Sequence, residues 1–343
     1  MKILVTGGSG YIASWIIYYL LDAGHEVVTT VRDITNEEKT KHLKALSEEK
    51  KGNLSFAEAD LLNESSFDKA VDGCDVVIHS ASPFKISGIK NPVKQLIEPA
   101  VKGTENVLKS VNRENSVRKV VLTSSAAAIY GDNADIHNIE GDSFTEDHWN
   151  TSSNEKHQAY SYSKKAAEEA AWKIANEQQR WNMAVINPGF VIGPSLTKRK
   201  DSTSIDFMLS FLNGKYKAGV PELYFGVVDV RDVAMAHVNA ALNEDAEGRF
   251  ITVSETKSTL EMAEILREHL GDQYPIPKSK MSKGLLKLAG PFVGFSWKFI
   301  NRNIGIPIYF DNTRAKTLLK IDFTPAEKAL IDQANQVIND NLI

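Results

Sequence analysis

The amino-acid sequence predicts an α/β fold, in which helices cover both faces of a doubly wound parallel sheet and a smaller α/β lobe follows. Three observations support this prediction. The first thirty-two of the 343 residues show the patterns of a strand, a glycine turn, a helix and a second strand. Short apolar strand patterns then alternate with helical patterns as far as about residue 191. From residue 192 the alternation loosens, so we expect a first region at 1–191 and a second at 192–343, parts of which return to the first sheet.

The first strand–helix–strand unit spans residues 2–32. Its strand pattern at 2–6 is apolar, and its helical pattern begins at Tyr11 and stops at Gly24, a residue type that commonly ends helices. The second strand pattern, 26–31, is rich in β-branched residues. A right-handed crossover through the helix makes these two strands parallel.

The turn between the first strand and the helix is rich in glycine. Gly7 permits a tight turn, Gly10 lets the backbone approach a pyrophosphate, and the small Ala13 lets helix and strand pack closely. The helix behind the turn offers free amide groups and the positive end of its dipole to the phosphates. Because both flanking strands and the helix are in place, we predict dinucleotide binding rather than an ordinary strand-to-helix turn.

The remaining elements follow in the order that a doubly wound sheet requires. A polar loop and an exposed helix are predicted at 33–52. Further strand patterns occur at 54–59, 75–79, 119–123 and 184–186, and further helical patterns at 67–71, 97–113 and 160–178. Beyond these the sequence predicts helices at 205–212, 232–242 and 259–270 and short strands at 227–230 and 249–253.

A tyrosine and a lysine four residues apart lie in the longest of the helical patterns. Tyr160 and Lys164 share one face of that helix. A tyrosine with its ordinary pKa of about 10 is a poor acid–base group at neutral pH, and an adjacent ammonium group lowers that pKa. Because the pair follows a strand that runs into Ser124-Ser125, it indicates acid–base chemistry. Tyr162 and Lys165, three residues apart, form a second pair that we interpret as incidental.

The residue at the end of the second strand pattern indicates which dinucleotide binds. Folds that prefer NAD place a carboxylate there to bind the ribose 2′-hydroxyl group. This chain instead has Arg32, whose guanidinium group can pair with a 2′-phosphate and lie over the adenine. Asp33 follows directly and would favour NAD if it took that position. We predict NADP, in its reduced form NADPH, as the cofactor.

Composition and charge exclude several classes of function. A formal net charge of −4 gives no general attraction for nucleic acid or anionic membranes. The apolar run at 11–21 is too short to cross a bilayer, and no signal peptide is visible. Eight histidines show no metal-ligand spacing and Cys74 is the only cysteine, so we expect no metal and no internal disulfide. We therefore expect a cytoplasmic protein with no membrane span and no nucleic-acid partner.

Taken together, these motifs resemble those of the extended short-chain dehydrogenase/reductases, which have a Rossmann fold. Within that family the chain is similar to the branch of dihydroflavonol 4-reductase, cinnamoyl-CoA reductase and methylglyoxal/isovaleraldehyde reductase. The motifs that carry the resemblance lie at 6–13, 31–33, 59–61, 77–83, 122–125, 160–164, 187–194 and 229–234. The resemblance is nearly continuous to about residue 270 and weak beyond it.

The resemblance implies a reductase in which NADPH delivers a hydride to a carbonyl carbon. Tyr160 would give a proton to the carbonyl oxygen, and Lys164 would hold the nicotinamide ribose and lower the pKa of Tyr160. Ser125 would hydrogen-bond the same oxygen. Ser124 is the alternative to Ser125, and both serines could instead satisfy a turn at the end of the strand.

The resemblance also implies which residues contact the cofactor and the substrate. The cofactor-binding residues would be Gly7, Gly10, Tyr11, Ile12, Arg32, Lys39, Asp60, Leu61, Ser80, Ala81, Ser82, Tyr160, Lys164, Pro188 and Val191. Phe84, Tyr130 and Phe190 fall where relatives line the substrate cleft, although each could equally be a core residue. Lys39 could likewise belong to a solvated charged loop.

Two groups of polar residues are interpreted as structural. His79 precedes the predicted cofactor-binding serines inside an apolar strand pattern, and we expect a core histidine there. Asp229, Arg231 and Asp232 are interpreted as the N-terminus of a helix with a local ion pair.

The segment 280–303 combines apolar side chains with lysines, and two interpretations of it are open. The favoured one is a helical lid over the substrate cleft. The alternative is a helix that lies on a membrane surface or on a partner protein. Gly290-Pro291 interrupts the segment, so one continuous amphipathic helix is not expected.

The predicted function is NADPH-dependent reduction of an aldehyde or ketone to an alcohol. A hydroxysteroid-type alcohol dehydrogenase would run the same chemistry in the opposite direction. The alternative is an NAD-dependent nucleotide-sugar epimerase or dehydratase, which would typically have an acidic residue in place of Arg32. A regulator that senses NADP without catalysis is disfavoured by the presence of Ser125, Tyr160 and Lys164. We expect a small-molecule carbonyl substrate, and either a monomer or a homodimer.

Overall fold

Strands and helices alternate along most of the chain, at nearly the positions that the sequence predicts. The structure, a computed structural model, describes residues 1–82, 89–198, 202–290 and 294–343. Its strands are β1 (Lys2–Thr6), β2 (Glu26–Val31), β3 (Asn53–Glu58), β4 (Val76–His79), β5 (Lys119–Thr123), β6 (Asn182–Pro188), β7 (Phe190–Ile192), β8 (Tyr224–Asp229), β9 (Gly248–Thr252) and β10 (Glu255–Ser258). Its helices are α1 (Tyr11–Asp22), α2 (Glu37–Glu49), α3 (Asp68–Val71), α4 (Glu98–Arg113), α5 (Ala159–Asn176), α6 (Thr203–Leu212), α7 (Val230–Leu242), α8 (Thr259–Leu270), α9 (Lys283–Ala289), α10 (Trp297–Asn303), α11 (Thr313–Leu318) and α12 (Ala326–Asn339).

Seven of the described strands form one parallel sheet in the order β3-β2-β1-β4-β5-β6-β9. The strand order reverses between β1 and β4, because the chain builds outward from β1 first in one direction and then in the other. In sheets of this kind a crevice opens at the carboxyl ends of the strands on either side of the reversal, and ligands bind there. The predicted doubly wound parallel sheet, with a Rossmann-like order, is confirmed.

Helices bury both faces of this sheet. On β1, Ile3 and Val5 point into a core shared with α1 and α7, whereas Leu4 points into the opposite core, shared with α4 and α5. None of these three side chains has exposed surface. A strand buried on both faces must be apolar throughout, which is why these strands appear in the sequence as continuous apolar runs.

A second, three-stranded sheet has the order β10-β8-β7. It packs with α6, α8 and α12 around a separate core, which includes Met208, Phe211, Met262, Leu266 and Leu330. The strand between β8 and β10 in the sequence is β9, which lies at the edge of the large sheet. Between β8 and β10 the chain therefore returns to the first sheet, where it contributes α7 and β9. The boundary at residue 191 remains a prediction.

None of the described helices is long and apolar enough to cross a membrane. The segment 280–303 contains two short helices, α9 and α10, rather than one, and part of the interval between them lies outside the described residues. The C-terminal helices α11 and α12 extend beyond the elements that the sequence analysis identified.

Candidate active site

The glycine turn after β1 has the geometry that a diphosphate needs. Gly7 has a φ angle of +70°, and a Cβ atom added there would lie 3.0 Å from the Cβ atom of Ala81. The amide of Gly10 donates to the carbonyl of Gly7 at 2.8 Å, and α1 starts at the next residue. In general, the amide groups of the first turn of a helix have no partner within that helix and can bind an anion. The backbone space at Gly7 and the helix end together fit a dinucleotide.

Most of the other predicted cofactor-binding residues lie at the carboxyl ends of β1 to β4, beside this turn. The amide of Ala81 donates to Thr6 Oγ1 at 3.0 Å, and Ser82 Oγ accepts from Lys164 Nζ at 3.3 Å. Leu61 packs so closely against α4 that a Cβ atom at Gly103 would lie 3.2 Å from it. These contacts line one edge of the sheet. Ser80 and Asp60 are half-buried at the same edge, as is Ile12 at the start of α1.

The charged residues after β2 favour the predicted cofactor. Arg32 and Lys39 are exposed beyond the carboxyl end of β2. The carboxylate of Asp33 accepts from the amide of Thr35 at 2.8 Å and from its hydroxyl at 2.6 Å. These hydrogen bonds lower the pKa of Asp33 and hold its carboxylate in a local turn. The Asp33 carboxylate, which would favour NAD if it bound the ribose, is instead engaged by Thr35 in this turn.

The three predicted catalytic residues come together at the start of α5. The hydroxyl group of Tyr160 is hydrogen-bonded to the side chain of Ser125. Lys164 lies one turn further along the helix, with Nζ 5.8 Å from the centre of the Tyr160 ring and 3.3 Å from Ser82 Oγ. Lys164 connects this group to the glycine turn, because it contacts Ser82 and the neighbouring Ala81 lies against Gly7.

The geometry distinguishes the two adjacent serines at the end of β5. Ser124 is buried, and its hydroxyl group donates to Glu168 Oε2 at 2.5 Å. Ser125 instead accepts from the amide of Ala127 at 3.1 Å and contacts Tyr160. Only the Ser125 side chain therefore lies next to Tyr160.

Burial dominates the pKa values of the tyrosine and the lysine. It raises the pKa of Tyr160 to about 12, although the hydrogen bond from Ser125 lowers that pKa in part. Burial also lowers the pKa of Lys164 to about 8. Desolvation is the larger of these two effects on Tyr160, and the expectation that Lys164 lowers the pKa of Tyr160 remains a prediction. A tyrosine with this pKa carries its proton at neutral pH, as a proton donor must.

The aromatic residues predicted to line the substrate cleft belong at least partly to the core. Tyr130 stacks on Phe144, with ring centres 5.2 Å apart, and burial raises the pKa of its hydroxyl group. Phe190 packs against Phe207 with ring centres 5.1 Å apart. Both rings are half-buried, so each also has exposed surface. Phe84 lies outside the described residues.

The segment that follows β6 is held against α1. The hydroxyl group of Tyr11 donates to the carbonyl of Gly193 at 2.5 Å, and the indole of Trp15 donates to the carbonyl of Pro194 at 2.9 Å. Pro188 is buried and Val191 is half-buried in the same stretch. The chain that leads into the smaller lobe is therefore hydrogen-bonded to the helix that would face the diphosphate.

The residues interpreted as structural have the expected partners. His79 is 2% exposed, and its Nδ1 lies 2.9 Å from Thr6 Oγ1. Asp229 caps α7 by accepting from the amide of Arg231 at 2.7 Å, and Arg231 also pairs with Asp229 and Asp332. The interpretations as a core histidine and as a helix N-terminus with a local ion pair are confirmed.

Two buried histidines make the fold sensitive to acid. Burial lowers the pKa of His79 to about 3 and that of His237 to about 4, from an ordinary value of 6.5. Below pH 6.5 the unfolded chain takes up protons that the folded chain does not, so stability falls as the pH falls toward these values. At pH 5 each histidine should cost about 2 kcal/mol relative to neutral pH. Urea unfolding at pH 7.5 and pH 5 measures the loss.

The matched variants are His237→Gln and His137→Gln. The first should lose about 2 kcal/mol less than the unmodified protein at pH 5, and the second, which changes an exposed histidine, is the control. Equal unfolding free energies at both pH values in the unmodified protein would contradict the prediction.

The segment 280–303 is anchored to the part of the chain that precedes Tyr160. Arg302 and Asn303, at the end of α10, donate to the buried carboxylate of Asp132 at 2.6 and 2.8 Å. The ring of His157, three residues before Tyr160, lies 2.8 Å from the same carboxylate. The side chains of Leu285, Leu288 and Trp297 are exposed. Whether this segment covers the cleft as a lid, or contacts a membrane or partner, remains a prediction.

One residue near the site was not singled out from the sequence. Glu168 lies four residues after Lys164 on α5 and is 1% exposed. It pairs with Arg249 on β9, with Nε 2.6 Å from Oε1. The four-residue spacing was a signal that Glu168 shares a helix face with Lys164. Nothing in the sequence indicates that Arg249, which is 81 residues away, is its partner.

The chain matches known proteins over most of its length. Residues 3–253 match the model of the NAD dependent epimerase/dehydratase family. Cinnamoyl-CoA reductase CAD2 of Medicago truncatula is 42% identical over 269 residues, which cover 78% of this chain and 80% of that protein. Anthocyanidin reductase of Arabidopsis thaliana is 36% identical over 279 residues, covering 77% and 79%. The structure of Gre2 from Candida albicans in complex with NADPH superposes with a TM-score of 0.80 at 29% identity, covering 99% of both chains.

Proposed function

The chain belongs to the NAD dependent epimerase/dehydratase family, and on that premise we propose that it is an NADPH-dependent reductase of small carbonyl compounds. Its similarity is to the extended short-chain dehydrogenase/reductase branch that contains cinnamoyl-CoA reductase, anthocyanidin reductase and Gre2. The observation that supports the proposal most is the cluster of Ser125, Tyr160 and Lys164, which Lys164 connects through Ser82 to the glycine turn. The Gre2 structures of Candida albicans and yeast hold NADPH, which supports the choice of cofactor.

Each catalytic residue has a task in this proposal that follows from its position. NADPH, when bound, supplies the hydride that forms the new C–H bond. The Tyr160 hydroxyl donates its proton to the carbonyl oxygen, so that an alcohol results and the tyrosine is left as a phenolate. Ser125 donates a hydrogen bond to the same oxygen as its charge develops. The Lys164 ammonium would stabilise the phenolate and would hold the ribose of the cofactor.

The groups that would hold NADPH are spread along the edge of the sheet. The amide groups near Gly7 and Gly10 and at the start of α1 would bind the diphosphate. Arg32 and Lys39 would bind the 2′-phosphate, and Asp60 and Leu61 would contact the adenine. The chain around Pro188 and Val191 would contact the nicotinamide, and 80–82 would pass beneath the cofactor.

Arg32→Ser should weaken NADPH binding and leave NADH binding nearly unchanged. A charge-assisted hydrogen bond contributes about 1.5–3 kcal/mol, so the KM for NADPH should rise by about ten- to a hundredfold. Steady-state kinetics with both cofactors measure the change. Lys44→Ser, which removes an exposed positive charge from α2, is the matched control and should change neither KM. An equal rise in KM for both cofactors would contradict the assignment.

The proposed function is tested by NADPH and NADH oxidation with a panel of carbonyl compounds, from short and branched aldehydes to aryl aldehydes and polycyclic ketones. Turnover that prefers NADPH supports the reductase and ranks its substrates. No turnover with either cofactor, together with NAD retained by the purified protein, would favour a nucleotide-sugar epimerase or dehydratase instead.

We extend the proposal to location and organisation. The only cysteine, Cys74, is buried, and burial raises its thiol pKa to about 12, so it suits a reducing compartment such as the cytoplasm. Residues 1–191 would bind the cofactor and provide the catalytic groups, and 192–343 would mainly bind substrate.

A further inference from the structure

The carboxylate of Glu168 is surrounded by hydrogen-bond donors from three strand ends and its own helix. Its Oε2 accepts from Ser124 Oγ at 2.5 Å and from Asn187 Nδ2 at 2.9 Å. Its Oε1 accepts from Arg249 Nε at 2.6 Å and from Trp172 Nε1 at 3.2 Å. A carboxylate has about four acceptor positions, so its capacity is filled. Because Glu168 is 1% exposed and fully engaged, it has no direct contact to offer a substrate.

Two of these donors, Ser124 and Asn187, are directly connected to Ser125. Ser124 is its neighbour in the chain, and Asn187 Nδ2 also donates to the backbone carbonyl of Ser125 at 3.2 Å. Ser125 in turn is hydrogen-bonded to Tyr160, which lies two turns before Glu168 on α5. The contacts therefore close a ring, from Tyr160 along the helix to Glu168, across to the end of β5, and through Ser125 back to Tyr160.

We propose that Glu168 is a positioning residue, whose ionised carboxylate fixes α5 against the ends of β5 and β6 and thereby sets the contact between Ser125 and Tyr160. The proposal rests on the proposed function, because it assigns a role in aligning the same two hydroxyl groups. Displacing a reacting group by about 1 Å can cost about a hundredfold in rate, so such alignment matters.

The charge of Glu168 is needed because all four partners donate. Arg249 supplies the compensating charge and is itself held by the carbonyls of Glu146 and His148, at 2.7 and 2.6 Å. A buried ion pair of this kind is a weak source of net stability, since removing two charges from water is costly. A geometric role explains its presence near the site better than a stabilising one.

Glu168→Gln tests this proposal, because the hydrogen bonds that the substitution would change can be derived from the structure. The new amide group cannot face Arg249 and Trp172, since neither of those nitrogens can accept a hydrogen bond. It must therefore face Ser124 and Asn187. Ser124 can rotate its hydroxyl group to accept, but Asn187 can accept only by turning its amide around. That turn removes the hydrogen bond from Asn187 to the carbonyl of Ser125.

The experiment compares Glu168→Gln with Glu169→Gln. Glu169 is the next residue on the same helix, where it makes an exposed ion pair with Lys165 at 3.6 Å, so its variant changes the charge equally. With tyrosine labelled at the ring Cζ atom with carbon-13, the Tyr160 resonance is assigned from its absence in Tyr160→Phe. We expect Glu168→Gln to move this resonance in the same direction as Ser125→Ala does, and Glu169→Gln to leave it in place.

Kinetics provide the second measurement. Glu168→Gln should lower kcat about tenfold with an unchanged KM for NADPH, because the hydroxyl groups are misaligned while the cofactor site is intact. Ser124→Ala removes one of the four hydrogen bonds with little change in volume. Ser124→Ala should shift the Tyr160 resonance less than Glu168→Gln does. If Glu168→Gln does not fold, the resonance of Ser124→Ala tests the positioning role instead.

The outcomes separate this proposal from the proposed function. If the unmodified protein reduces no carbonyl compound, the proposed function fails, and the Tyr160 resonance still tests the role of Glu168. If the resonance stays unchanged in the Glu168→Gln variant, or in Ser124→Ala where the former does not fold, the positioning role is overturned.

Discussion

Tyr160→Phe is expected to lower kcat for carbonyl reduction about a thousandfold and to leave the affinity for NADPH within about twofold. Proton transfer from a positioned side chain contributes about a hundred- to ten-thousandfold to rate, and phenylalanine has no proton to give. Burial holds the pKa of Tyr160 at about 12, so the wild-type residue is protonated at any pH where the protein would be assayed. NADPH oxidation with the best substrate of the panel measures kcat, and fluorescence titration measures cofactor binding.

Tyr162→Phe is the matched control for this prediction. Tyr162 lies on the same helix two residues later and is also half-buried, yet it shares the face of α5 with neither Tyr160 nor Lys164. Its loss should change kcat by less than about twofold. If Tyr160→Phe retained wild-type activity, the proton would have to come from another group and the proposed mechanism would be abandoned.

The second large effect is expected at Lys164. Because burial lowers its pKa to about 8, the ammonium group is present below that pH and is lost as the pH rises through it. The value of kcat/KM, which reports on the free enzyme, should therefore decline above about pH 8. Lys164→Met should lower kcat/KM at neutral pH about a hundredfold or more and should abolish this decline, since no ammonium group remains to be lost.

The pH dependence of kcat/KM at constant ionic strength measures both effects. Lys165→Met is the control, because Lys165 is the next residue on the helix and forms a surface ion pair with Glu169. It should keep both the wild-type rate and the wild-type decline. A wild-type profile without any decline up to about pH 10, or a decline retained in Lys164→Met, would show that the charge on Lys164 is not required.

The positions of most elements could be predicted because local signals and tertiary burial agree. Helix α8 begins as predicted, because Ser258 and Glu261 form a capping box at its start. Strands β2 and β5 are apolar or β-branched runs bounded by turn residues, and their predicted limits, 26–31 and 119–123, are the observed ones. The parallel order followed from the alternation of strands and helices, which leaves few other topologies.

Properties that depend on distant parts of the chain could not be predicted. The choice between Ser124 and Ser125 depends on which of two adjacent side chains contacts Tyr160 and which contacts Glu168, and the sequence does not contain those directions. The pKa of Tyr160 depends on how deeply the ring is buried, and that depth is set by the tertiary fold. The C-terminal helix α12 has apolar residues at helical spacing, but its packing against α6 and α8 depends on a core assembled from separate segments.

The return of β9 to the large sheet affects how this chain could be recombined with its relatives. Because β9 pairs with β6 over residues 184–188, a fragment ending at 191 would leave a row of backbone amide and carbonyl groups of β6 exposed. Such an edge invites pairing with other chains, so we expect that fragment to aggregate. A chimaera that exchanges the smaller lobe between reductases would need junctions on both sides of 230–252 as well as one near 189, so that α7 and β9 stay with the large sheet against which they pack.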